Sequence, residues 1–125
     1  VLVIDEGGLR PLDIERVDHA VLEELVGGPL RIQRVTAVEG GRTVQVVTNR
    51  DAKLLGLAPR AIAYWNGSPY DVLAGTIVFV AAEQDGSPRP LGAAERRLVE
   101  ERVRRVPRPL DLSERYRVEM GDGGR

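Results

Sequence analysis

Cysteine is missing from this 125-residue sequence, and histidine occurs once, at position 19. Those two facts remove most nucleophilic and metal chemistry. Without cysteine there is no disulfide, no thiolate zinc site and no thiol nucleophile. A histidine metal site needs partners at fixed spacing, and His19 has none. A Ser-His-Asp triad would depend on that same histidine. Ser68, Ser87 and Ser113 stand in turn or cap contexts, and no G-x-S-x-G elbow surrounds them. Asp13, Glu15 and Asp18 are near enough in sequence to gather at a cation, but EF-hand spacing is absent. Solvated charge and helix capping account for them. The doublets Gly7-Gly8, Gly27-Gly28 and Gly40-Gly41 lack the spacing of phosphate loops and fall where turns and a cap are needed. The sequence therefore predicts no catalytic residue, no cofactor and no metal.

Recognition chemistry is better represented. The stretch from Thr48 to Asp71 holds three of the five aromatic residues and the single lysine. Arg50, Lys53, Arg60, Tyr64, Trp65 and Tyr70 are the candidate partner-binding residues. Arginine and large aromatics anchor interfaces because they bury wide surfaces while keeping a polar handle. The competing structural account is that Tyr64 and Trp65 cap the core while the cations are solvated.

These residues need a scaffold, and the hydrophobic pattern predicts one. Residues 1–4 and 9–14 read as an opening hairpin turned at Gly7-Gly8. Pro11 fits an edge strand, since it offers no amide to a ladder. Asp18 is a suitable N-cap for a short helix whose stripe is Val21, Leu22, Leu25 and Val26, stopped by Gly27-Gly28-Pro29. Residues 30–38 and 43–48 form a second hairpin, with a change of parity near Arg34-Val35 that suggests a bulge. Residues 51–58 read as one helical turn or an extended loop. Strands follow at 61–65 and 76–82. Residues 91–106 carry apolar positions at helical spacing and i,i+4 Arg/Glu pairs, predicting a long charged helix. A last short element falls within 111–120.

The expected fold is thus α+β: a small, mostly antiparallel sheet with a short helix packed on it and a longer charged C-terminal helix. One domain is expected over residues 1–120, with a frayed tail at 121–125. Val44, Val46, Ile77 and Phe79 are expected to share a core with Leu22 and Leu25. An apolar content of 42% with a net charge of −1 is ordinary globular composition. No apolar run approaches the ~20 residues of a spanning helix. The N-terminus lacks the features of a signal peptide, so the expected location is cytoplasmic, away from membranes.

Several of these pieces recur together in a known order. LVGG at Leu25 to Gly28, N-x-D-x-K-L-L-G-L at Asn49 to Leu57, the turn around Ala58 to Ala61, and D-x-L-A-G-T-I-V-F-V at Asp71 to Val80 resemble the family catalogued as domain of unknown function 3846. The resemblance spans about residues 1–90. That family occurs in phages, plasmids and actinobacterial genomes and has no assigned reaction. The resemblance implies a mobile-element setting, in which small proteins bind and modulate partners. The resulting expectation is a small non-catalytic binding or modulatory protein acting through protein–protein contacts. One alternative is a nucleic-acid-binding module using the Arg-rich C-terminal helix. An enzyme of unknown reaction ranks last. A nucleic-acid binder should gather Arg96, Arg97, Arg104, Arg105 and Arg108 on one face. A protein binder should expose an apolar patch near Trp65.

Overall fold

Strand-forming residues dominate the chain, and they form two sheets instead of one. The fold, taken from a computed structural model, is described for residues 1–107 and 115–121. In order, the elements are β1 (Leu2–Asp5), β2 (Gly8–Pro11), α1 (His19–Val26), β3 (Leu30–Ala37), β4 (Thr43–Asn49), β5 (Pro59–Trp65), β6 (Ser68–Ala74), β7 (Ile77–Ala82), β8 (Pro88–Arg89), α2 (Ala93–Arg102), β9 (Val103–Arg105) and β10 (Tyr116–Met120). The first sheet runs β2-β1-β7-β4-β3, with β8 also paired to β7, and every neighbouring pair is antiparallel. The second runs β6-β5-β10-β9, with β5 and β10 parallel.

The central strands β1, β7 and β4 of the first sheet are buried on both faces, because apolar residues stand at most of their positions. One face, with Val3, Val47, Val78 and Val80, packs against Leu22 and Val26 of α1 and against Val17. The other face, with Leu2, Ile4, Val44, Val46, Ile77 and Phe79, packs on the second sheet and α2. The expected core is therefore corrected. Leu22 and Leu25 do lie on a sheet, but on the side opposite Val44, Val46, Ile77 and Phe79. Period-2 alternation separates Val46 from Val47 and Phe79 from Val78, so a continuous apolar run feeds two cores at once.

The helix α1 is built as its sequence predicts. Asp18 Oδ1 accepts from the Val21 amide at 2.9 Å, and Gly27 closes the last turn in the left-handed region at φ +81°. Pro11 sits on the edge strand β2. The parity change in β3 is a bulge, with the register shifting between Arg34 and Thr36.

The expected α+β class does not hold. Strand accounts for 47% of the described residues, and both helices are short. The long helix of residues 91–106 is in fact α2, ten residues long, followed without a break by β9. Val99 and Val103 suit a helical stripe, but Val103-Arg104-Arg105 alternates and suits a strand equally well. Pro107 forces its predecessor toward extended backbone, and β10 offers a ladder: Val103 pairs with Val118, Arg104 with Arg117 and Arg105 with Tyr116. Tertiary pairing thus converts the last helical turn into a strand. Arg104 and Arg105 leave the helix, and with them go their expected i,i+4 pairs; Arg96 and Glu100 keep theirs at 3.7 Å.

Two backbone amides help lock the sheets together. The Leu9 amide donates to the Tyr116 hydroxyl at 3.0 Å, and the Gly121 amide donates to the Val35 carbonyl at 2.7 Å. Gly121 is buried, while residues 122–125 of the expected tail lie outside the described residues. Glu95 anchors α2 from inside. It is buried, accepts from the Gly92 amide at 2.7 Å, and meets Arg89 at 2.7 Å and Arg42 at 3.2 Å.

Candidate partner-binding surface

The end of β4 and the end of α1 are tied by one side chain. Asn49 is buried; its Nδ2 donates to the Val26 carbonyl at 3.2 Å, and its Oδ1 accepts from the Asp51 amide at 2.8 Å. Val26 contributes one of the carbonyls a helix end leaves without an internal partner. Gly28 must be small here, because a Cβ on it would lie 2.9 Å from Asn49 Nδ2. The Arg50 amide then donates to the Pro29 carbonyl at 2.8 Å.

From Asn49 the chain makes a compact coil of turns over residues 50–58. The Leu55 amide reaches Asp51 at 2.9 Å, and the Leu57 amide reaches Ala52 at 3.0 Å. Ala52 and Leu57 point inward; Leu57 rests against Gly75, where a Cβ would sit 2.9 Å from Leu57 Cδ1. The Gly75 amide also donates to the Ala58 carbonyl at 2.9 Å. The two residues that cannot turn inward are Leu54, 89% exposed, and Leu55, 61% exposed.

Lys53 fastens this loop to β6. Its Nζ donates to Asp71 Oδ1 at 2.8 Å, while Arg31 of β3 meets Asp71 Oδ2 at 2.7 Å. Burial by itself would raise the Asp71 carboxyl. The Lys53 hydrogen bond and the Arg31 charge outweigh it and hold the group below its ordinary value. Tyr70, 48% exposed, shares a shallow cleft with Lys53 and Ile62. Burial of one side of its ring pushes the phenol upward.

The other candidates lie in different surroundings. Trp65 is 49% exposed and lies over Gly121, where a Cβ would come within 3.2 Å of the indole ring. Tyr64 is buried, with the Arg117 guanidinium 4.8 Å from its ring centroid. Arg60 turns away, into an open cleft of about 420 Å³ that it lines with Asp5 and Arg10, and its Nε has no hydrogen-bond partner among the described residues. Arg50 stands beside Asp51 at 3.4 Å with most of its side chain in solvent. The structure thus brings Arg50, Lys53 and Tyr70 together and sets Arg60, Tyr64 and Trp65 elsewhere.

Leu54, Leu55, Arg31 and Asp71 belong to this surface and are absent from the sequence-based candidates. The signal for the leucines is the K-L-L-G-L run itself: consecutive leucines in a turn of this tightness cannot both face the core. Nothing local marks Arg31, which arrives from β3 through the packing of the two sheets. Among the described residues, no group of three or more His, Cys, Asp or Glu side chains is placed to hold a metal ion. Among them also, no helix is long and apolar enough to cross a membrane.

Most of the chain matches one family model. Residues 1–103 fit the domain of unknown function 3846 (DUF3846), and the chain belongs to that family. The match runs through α2 to the first residue of β9, beyond the 90 residues covered by the motifs. Neither the curated proteins nor the solved structures contain a match to this chain. The pieces that mark the family also touch one another: LVGG meets Asn49, and Lys53 and Leu57 meet Asp71 and Gly75. They form one interlock joining α1, β4, the 50–58 loop and β6.

Proposed function

We propose that this chain is a small non-catalytic binding protein, of mobile-element type, that engages a protein partner through the 50–58 loop and the adjoining part of β6. The observation that carries this reading is the pair Leu54 and Leu55, held outward on a loop that is itself firmly fixed. Exposed leucines cost a free protein the stabilisation that burial would give, roughly 1.5–3 kcal/mol each. A partner recovers it. Tyr70 and the cations Arg50 and Lys53 add an aromatic anchor and a polar rim, the usual division of an interface.

The placement of the arginines supports the protein-binding reading over the nucleic-acid alternative. Arg104 and Arg105 point to opposite sides of β9, one beside Arg117 and the other beside Tyr116, and Arg96 and Arg97 stand on α2. Arg108 lies outside the described residues. A photo-crosslinking amino acid at position 54 or 70 tests the protein-binding reading, with position 23 on α1 as control. The expected result is one discrete adduct from positions 54 and 70 and none from 23. The Leu54→Ser, Leu55→Ser double variant should keep its melting temperature and weaken that partner at least tenfold, about 1.4 kcal/mol. Undiminished capture by the double variant places the binding surface elsewhere.

A further inference from the structure

Beneath the 50–58 loop, where the two sheets part, lies a cavity of about 30 Å³. Its polar lining is Thr48 and Asn49, both buried, with Arg31, Arg50 and Lys53 around it. A space of this size admits a water molecule or the oxygens of one small group, and polar walls favour such an occupant. The three cations keep 41%, 63% and 62% of their side chains in solvent. Two carboxylates answer them: Asp71 is shared by Arg31 and Lys53, and Asp51 stands by Arg50. Among the described residues, these three cations carry one positive charge more than the two carboxylates they meet, beside the exposed Leu54 and Leu55.

We propose that the partner presents an acidic side chain flanked by apolar residues. Its carboxylate docks among Arg31, Arg50 and Lys53 over the cavity, and its apolar neighbours cover Leu54, Leu55 and Tyr70. This inference rests on the protein-binding reading above. A carboxylate, with one negative charge, matches the single excess cation. A phosphate, carrying about −1.5 to −2, would leave negative charge unbalanced against Asp51 and Asp71. Guanidinium and ammonium donors over a polar recess give a carboxylate charge-assisted hydrogen bonds, and the leucines exclude water around them.

A random 12-residue peptide library selected against the full chain tests this, followed by synthesis of the enriched peptides and fluorescence anisotropy. The expected peptides place Asp or Glu between Leu, Ile or Phe. Their affinity should fall at least tenfold for Arg50→Gln and for Lys53→Gln, and at least tenfold for the Leu54→Ser, Leu55→Ser double variant. Thermal melts confirm that each variant folds, and Arg50→Gln gives up only an exposed contact with Asp51 at 3.4 Å. Peptides that need Leu54 and Leu55 but carry no acid, or ignore both glutamine variants, overturn the inference and leave the protein-binding surface standing. Peptides indifferent to the two leucines overturn both. A tenfold gain on replacing the acid with phosphoserine overturns the choice of carboxylate, as does a selection that enriches no acidic peptide.

Discussion

Asn49 does the work of three contacts with one amide group. It caps the Val26 carbonyl, turns the chain at Asp51, and fills the space that Gly28 leaves open. Replacing it with alanine strands a buried carbonyl, so Asn49→Ala should cost about 1–3 kcal/mol in urea denaturation. Gly28→Ala should also destabilise, because its Cβ would meet Asn49 Nδ2. In the Asn49→Ala background that collision disappears, so the double variant should cost less than the sum of the singles. Strict additivity would show that the two residues do not share a contact. Asn49 was legible in the sequence as part of an unusual stretch, but its role was not. An asparagine near arginines and aromatics suggests recognition, and only its position under α1 makes it a cap.

The 50–58 loop is held as an element, by Leu57 on Gly75, the Ala58 carbonyl on the Gly75 amide, and Lys53 on Asp71. Gly75 has φ +74°, a conformation that a side chain strains, and its Cβ position is already occupied by Leu57. Gly75→Ala should therefore cost more than about 1 kcal/mol. Hydrogen exchange should show faster opening at Leu55 and Leu57 while the amides of α1 stay protected. Equal protection in both forms would mean that the loop docks by other contacts. The sequence placed this segment between strands and left its form open between a helical turn and a loop, since Gly56 and Pro59 interrupt any period. For the segment after Gly92 the sequence was misleading, because Val103 satisfies two periodicities and its strand partner lies at Val118.

At the scale of the molecule, β10 is the closing piece. It lies between β5 and β9, and Tyr116, Val118 and Met120 join the core shared by both sheets. A chain ended after Val106 loses all three. Core truncations of this kind cost of order 2–5 kcal/mol each, against a typical total stability of 5–15 kcal/mol. The shortened chain should bind a hydrophobic dye and lose its sharp thermal transition. A melt unchanged from the full chain would show that residues 1–106 fold without β10.

The sequence by itself determined the local items. The cap at Asp18, the stop at Gly27, the β3–β4 hairpin with its bulge, the edge position of Pro11 and the family were all readable, because each depends on residues close together or on motif order. Tertiary structure alone decided how many sheets form, which face of each strand meets which core, and where α2 gives way to β9. Those outcomes depend on ladders between distant segments, such as β5 with β10 and β9 with β10. The candidate surface divides in the same way. Lys53, Arg50 and Tyr70 stood out by residue type, whereas Leu54, Leu55 and Arg31 became part of it only when the loop folded back onto β6 and two sheets met at Asp71.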